Sequence, residues 1–234
     1  MAAERSQGLG STINPAFALT QSRTDSEVPY PSDEPYLIQE QNRVESQSPS
    51  ENQRKIAAAV RTVLTNLGED PNREGLLKTP ERYARAMKFL THGYQRNVEI
   101  ETNGAIFNVE SNGMVIVRDI EIYSLCEHHL LPFFGKIHIG YIPRGRVLGL
   151  SKFVRVVEIF ARRLQVQERV TSQVVQAIQR LLEPEGVIAV VECTHLCMAM
   201  RGVQRSGATT VTQCSTGVFE KDAGTVKRFH TLLK

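Results

Sequence analysis

The sequence is short of the features that mark several protein classes. No apolar run approaches the roughly 18 uninterrupted residues of a membrane span. The N-terminus has no apolar core of the signal-peptide kind, so a cytoplasmic location is expected. Only four of the 234 residues are cysteine. So few, without a secretion signal, suit metal ligation or plain thiols in a reducing compartment better than a disulfide framework. Neither G-x-x-x-x-G-K-[ST] nor G-x-G-x-x-G occurs, which excludes the two common glycine-rich phosphate loops. There is no internal repeat. What remains is an ordinary globular composition, 41% hydrophobic and 23% charged, in a length suited to one large domain or two modest ones.

The net charge of +3 conceals an asymmetry. Residues 1–50 carry seven acidic and three basic side chains, which leaves 25 basic and 18 acidic groups in residues 51–234. A mildly basic folded part suits an anionic small substrate, although charge alone does not separate that from nucleic acid. Residues 1–50 are also rich in Ser, Gln, Pro, Glu and Asn and lack apolar periodicity. Such a segment buries too little apolar surface to offset its chain entropy and is predicted to be a disordered tail. Its acidic residues argue against a transit peptide.

From Glu51 the pattern changes. Ile56, Ala59, Val60, Val63, Leu64 and Leu67 recur at helical spacing and Gly68 closes the run. Thr79-Pro80-Glu81-Arg82 predicts a second helix, with Thr79 as N-cap, Pro80 at the first helical position and Gly93 as the end. Residues 105–149 read as β structure, with a bulge near Arg118-Asp119 and a hairpin turn at Pro143-Arg144-Gly145 leading into a strand Val147–Leu150. Ser151 is the expected N-cap of a helix whose core stripe is Phe153, Val157, Phe160 and Leu164. After a break near Gln165, a further helix carries Val170, Val174, Ala177, Ile178 and Leu181 on one face and ends at Glu183–Gly186. Residues 187–197 and 208–213 are expected strands and Thr225–Leu233 a terminal helix. The fold class is therefore α+β, an antiparallel sheet with helices on one face.

Two stretches concentrate thiols and imidazoles: Cys126-Glu127-His128-His129 and Cys193-Thr194-His195-Leu196-Cys197. Soft sulfur with imidazole suits zinc. In an extended strand Cys193, His195 and Cys197 share one face, with His195 and Cys197 roughly 7 Å apart, the reach of a ligand and a catalytic group flanking one substrate. Cys126 pairs with His128 if the chain stays extended, or with His129 if a tight loop wraps a metal. The second pairing is favoured and frees His128. Cys193 is a candidate fourth ligand, though a cysteine at a strand centre more often packs as a small hydrophobe. Cys126, His129 and Cys197 make three ligands, the number that leaves zinc an open, water-bearing position, with His195 close enough to exchange protons.

The second constellation is basic. Leu150-Ser151-Lys152-Phe153-Val154-Arg155 puts a serine and two cations in the first turn of a helix, where unpaired N–H groups and the helix dipole favour an anion. Arg201, beside Gly202, adds a guanidinium beyond the Cys197 strand. The competing explanation is a set of solvated surface charges. Arg82, at the start of its helix, reads on its own as a surface residue.

Taken together these motifs resemble GTP cyclohydrolase I. They are Cys126–His129, Gly149–Arg155, Gln165-Val166-Gln167-Glu168-Arg169, His195–Cys197, Met200–Gly202 and Asp70–Pro80. The resemblance spans residue 51 to the C-terminus and implies a zinc-dependent hydrolase that converts GTP and water to 7,8-dihydroneopterin triphosphate and formate, the entry step to folates and tetrahydropterins. It implies zinc ligation by Cys126, His129 and Cys197, and attack of zinc-bound water on guanine C8 with His195 as proton donor. His128 and Ser151 would serve the later ribose opening, and Glu168 would accept hydrogen bonds from the guanine edge. Lys152, Arg155 and Arg201 would hold the triphosphate, Leu150 would line the substrate site, and Arg82 would reach the phosphates from a neighbouring subunit. The implied architecture is the tunnelling fold in residues 96–234, preceded by a helical hairpin in residues 51–95. The implied assembly is a homodecamer of two pentamers with interfacial active sites, acting on neither nucleic acid nor membranes.

Two other readings compete. One is a non-catalytic, zinc-stabilised nucleotide-binding module, which would need a fourth protein ligand such as Cys193. The other is a different tunnelling-fold enzyme acting on a pterin or deazapurine, against which the full set of triphosphate cations argues.

Overall fold

In the computed structural model, residues 49–234 are described, and the predicted tail over residues 1–50 lies outside them except for its last two positions. Ser50, assigned to that tail, instead caps the first helix, α1 (Glu51–Asn66). Its hydroxyl accepts the Gln53 N–H at 3.3 Å and the Gln53 side chain accepts the Ser50 N–H at 2.8 Å, a reciprocal capping box. Gly68, at φ +83°, ends the helix in the left-handed conformation that L side chains resist. The second helix, α2 (Thr79–Leu90), packs against α1, and an Arg61–Asn72 hydrogen bond ties α1 to the intervening turn.

Here the N-cap expectation is off by one residue. Lys78 is the N-cap and Thr79 already helical, its hydroxyl donating to the Gly75 carbonyl at 3.3 Å. The preceding turns (Leu76 and Leu77 N–H to Arg73 C=O) deliver the chain in near-helical geometry, so no side-chain cap is needed. Gly93 lies inside a 3₁₀ turn (His92–Gln95) after the helix has ended. Its requirement is close approach: a Cβ there would stand 2.3 Å from the Ile159 carbonyl oxygen. A short helix α3 (Val98–Thr102), capped by Asn97, follows.

The sheet contains β2 (Val115–Cys126), β3 (Pro132–Ile142), β5 (Leu164–Gln165), β6 (Gly186–His195) and β7 (Thr210–Ser215), in the order β5-β2-β3-β6-β7. All neighbours are antiparallel except the two-residue β5, which runs parallel to β2. The expected bulge is present: register shifts between Val117 and Ile120, and Asp119 sits at φ +61°. The strand after Gly145 corrects the hairpin expectation. It is β4 (Arg146–Leu148), and it pairs with β1 (Ile106–Asn108) rather than with β3. That small ladder, extended by the Gly149 N–H to Ala105 C=O bond at 2.9 Å, places Gly149 rather than Ser151 as N-cap of α4 (Leu150–Ala161). Ser151 is a residue of the helix and makes no capping bond.

Alternation along the strands sorts the two sheet faces. Ile122, Phe133, Ile137, Ile139, Val187, Ala189 and Val191 point toward α4 and α5 (Gln167–Leu182), whose Phe153, Val157, Val174 and Ile178 complete the main core. On the other face Ile188 packs with Phe219 and Phe229 from the short α7 (Val218–Lys221) and the terminal α8 (Ala223–Leu232). The two long helices thus cover one face as expected, while the terminal helix takes a corner of the other.

Candidate active site

Each half of the site is built where a strand stops. β2 ends at Cys126, whose carbonyl accepts the Leu130 N–H at 2.8 Å and whose N–H donates to Leu131 C=O at 2.8 Å. Leu130 sits at φ +56°, and the resulting tight loop folds His129 back on Cys126, Sγ to Nδ1 3.9 Å. β6 ends at His195, and the chain then winds into one helical turn, α6 (Leu196–Ala199). Cys197 therefore does not continue an extended strand face with His195, as the alternation had predicted; it lies in that turn. The outcome is a convergence of Cys126 Sγ, one His129 ring nitrogen and Cys197 Sγ, all within 4.8 Å of one another.

Those atoms suit a metal. Tetrahedral zinc holds sulfur and nitrogen ligands roughly 3.5–3.8 Å apart, so the cluster closes onto an ion with shifts of about 1 Å or less. Burial pushes the Cys197 thiol up, and the neighbouring Cys126 sulfur pushes it further in the same direction. The Cys197 thiol therefore resists ionising without a cation beside it, and a divalent ion reverses that balance. Cys193, the candidate fourth ligand, is buried in the main core with its thiol pushed up to about 12 by desolvation. It is absent from the cluster, which among the described residues has three members.

His195 stands beside this cluster in a tightly defined setting. Its ring stacks on the fully buried Phe133, centroids 4.6 Å apart and planes 7° from parallel, because β3–β6 register sets the two residues opposite one another. Its Nε2 lies 2.8 Å from Gln167 Oε1, at the first residue of α5. Desolvation lowers the imidazole pKa from its ordinary value, and Glu168, exposed in the first turn of α5, opposes that shift. His128 is exposed, with Nδ1 3.8 Å from Cys126 Sγ. Glu127, between them in sequence, is clasped by both terminal nitrogens of Arg169, which also holds its carboxyl below the usual carboxylate range. This clasp anchors the Cys126–His129 loop to α5.

The cations are less convergent. Arg201, exposed beyond α6, is near enough to Cys197 to favour its thiolate. Leu150 and Ser151 are exposed and Arg155 half-buried in the first turns of α4. Lys152 is turned toward α3, where its ammonium donates to the Glu101 carbonyl at 2.7 Å. Arg82 hydrogen-bonds within its own turn, to Gly75 C=O and Thr79 Oγ1, and is not drawn to the cluster. Sequence reasoning gave no role to Phe133, Gln167 or the Glu127–Arg169 clasp. Gln167 and Arg169 fall inside the Gln165–Arg169 run, but nothing in that run indicates which atoms they face.

Residues 56–234 match the GTP cyclohydrolase I family along their whole length. The chain belongs to that family. It is 59% identical over 179 residues to GTP cyclohydrolase 1 of Dictyostelium discoideum, covering 76% of this chain and 77% of the relative. Against GTP cyclohydrolase 1 2 of a Nostoc species the identity is 52% over 188 residues, 80% of this chain and 87% of that one. The Neurospora crassa GTP cyclohydrolase 1 is longer: 58% identity over 179 residues spans 76% of this chain but 57% of that protein. The chain is accordingly a hydrolase of the GTP cyclohydrolase class, with the family's tunnelling fold.

Proposed function

We propose that the protein is a zinc-dependent GTP cyclohydrolase that converts GTP and water to 7,8-dihydroneopterin triphosphate and formate, the first committed step toward folates and tetrahydropterins in the cytoplasm. The observation that carries this reading is the convergence of Cys126, His129 and Cys197 beside His195, from two strand ends some seventy residues apart in sequence. Three donors with no fourth among the described residues leave one coordination position open, which supports a catalytic rather than a closed structural site. When bound, zinc would supply Lewis acidity toward the water that adds to guanine C8.

The chain's own residues do the rest. His195 relays a proton to the imidazole ring of the base as its C8–N bond opens, through the ring nitrogen that faces the substrate. His128, exposed beside the cluster, and Ser151 serve the later opening and rearrangement of the ribose. The Glu168 carboxylate matches the guanine N1–H and amino donors, a pair one carboxylate accepts together. Lys152, Arg155 and Arg201 bind the triphosphate and Leu150 lines the approach. Lys152 exchanges its Glu101 carbonyl for phosphate when substrate arrives.

Assembly as a homodecamer of two pentamers, with Arg82 supplied across a subunit interface, completes the reading. It is supported by the position of β7 at the sheet edge, with Val211 60% exposed, since an open six-residue edge is a pairing surface. Incubation with GTP, following formate and the fluorescent oxidised pterin with zinc measured on the same sample, tests the whole. Stoichiometric formate from zinc-bearing protein is expected. Undiminished turnover by metal-free protein would sink it.

A further inference from the structure

The surroundings of Gln167 are more specific than those of a packing residue. It is 1% exposed, at the first position of α5. Its side-chain amide nitrogen faces three acceptors: Val191 C=O at 3.0 Å, Thr210 C=O at 2.8 Å and Thr212 Oγ1 at 3.2 Å. Two of these are backbone carbonyls, which only accept. Turning the amide over would set its oxygen against both carbonyl oxygens, so the orientation is settled by the sheet: NH₂ toward β6 and β7, Oε1 toward His195. The hydroxyls agree with this assignment. Thr171 Oγ1 donates to Gln167 C=O at 2.7 Å, so in the 2.7 Å contact between the two threonines Thr212 is the donor and its oxygen is left to accept from Gln167.

Gln167 Oε1 can only accept, so the His195 Nε2 at 2.8 Å must carry a hydrogen. We propose that Gln167 is a positioning residue: it keeps the Nε2–H form of His195 and turns Nδ1 toward the substrate as the nitrogen that exchanges the proton. Phe133 and Gln167 divide the work. The stacked phenyl ring fixes the plane of the imidazole, and the amide oxygen fixes its rotation within that plane. A neutral amide does this without placing a carboxylate against the ring. The inference rests on the proton-donor role proposed for His195, and it accounts for why a glutamine stands at the start of α5 with no water-facing surface.

The test is the tautomer itself. In ¹⁵N-histidine-labelled protein above the imidazole pKa, the His195 signals, assigned by their loss in His195→Gln, are expected to show a protonated Nε2 and a bare Nδ1; the opposite tautomer overturns the proposal. This readout needs no turnover, so a failure of the hydrolase reading, seen as no formate from GTP, remains distinguishable from a failure of this one. Gln167→Met keeps the volume and removes the acceptor. It is expected to mix the tautomers and lower kcat roughly 10- to 100-fold, the scale at which partners orienting a ligating imidazole act, with KM for GTP within about twofold. The wild-type tautomer is read without any substitution, which covers the case in which the Met variant, lacking a donor for the Val191 and Thr210 carbonyls, does not fold. Wild-type kcat in Gln167→Met, or a loss confined to KM with the tautomer unchanged, would assign the residue to packing alone and overturn the proposal.

Discussion

Gly135 offers a severe check on how β3 and β6 hold the site. It sits opposite Cys193 in the β3–β6 ladder, two residues from the Phe133–His195 pair. A Cβ built on it would stand 1.9 Å from the Glu192 carbonyl oxygen and 2.8 Å from Cys193 Cα. Neither is a flexible side-chain end, so relief requires the strands to part by roughly 1 Å or more, with loss of dispersion contacts around the fully buried Ile137 and Val191. Overpacking of this kind costs about 1–3 kcal/mol, and a backbone obstacle puts Gly135→Ala at the upper end. For a chain this long about 3 kcal/mol lowers Tm by roughly 6–12 °C. Thermal unfolding by circular dichroism, at equal protein concentration, measures it. Gly113→Ala is the control, since its Cβ would meet only Ser111 Oγ at 3.8 Å and its Tm is expected to hold. In folded Gly135→Ala, separation of Phe133 from His195 is also expected to lower kcat. A Tm within about 2 °C of wild type, with wild-type turnover, would refute the close approach of the two strands and the account of what aligns His195.

Three further outcomes are expected. Cys197→Ala loses metal by elemental analysis while Cys193→Ala retains it, and His195→Ala retains metal yet releases no formate; retention in Cys197→Ala with loss in Cys193→Ala would favour a structural site. Arg169→Met frees Glu127 and loosens the Cys126–His129 loop, so zinc passes to a competing chelator up to about tenfold faster with little change in Tm; an unchanged transfer rate removes the clasp from the metal site. His138 Nδ1 accepts the Asp119 N–H at 3.1 Å, and desolvation lowers its pKa, with Lys136 and Arg118 lowering it further and Asp119 and Glu192 opposing. Because the folded state prefers the neutral ring, this stability is fully present above the unfolded value of about 6.5 and is lost as pH falls through the folded pKa. Wild type should therefore lose more stability than His138→Gln between pH 7 and 5, and parallel curves would contradict the assignment.

Legibility in the sequence followed the range of the interaction. Helical stripes such as Val170–Val174–Ala177–Ile178 and the strand alternation of β3 were readable because periodicity is a local consequence of backbone geometry. The bulge at Arg118-Asp119 was readable for the same reason. Cap assignments at Thr79 and Ser151 failed by one and two residues because the approach of the preceding chain, not the side chain, decides where a helix begins. The pairing of β4 with β1 instead of β3 was a choice between distant partners, which no hairpin signal records.

Residue chemistry marked out the two thiol–imidazole stretches as metal-ligand candidates of the kind that suits zinc, and spacing favoured Cys126, His129 and Cys197 while leaving His128 and Cys193 as alternatives. That much the sequence determined by itself. Tertiary structure decided how they meet: β6 stops at His195, and one turn of α6 brings Cys197 round to the β2–β3 loop. It also decided that Cys193 belongs to the core and that Gln167 faces His195. The physical reason is that an amide side chain carries a donor and an acceptor of equal standing. Only the two carbonyls of β6 and β7, brought to it by the folding of the sheet, determine which of them the histidine sees.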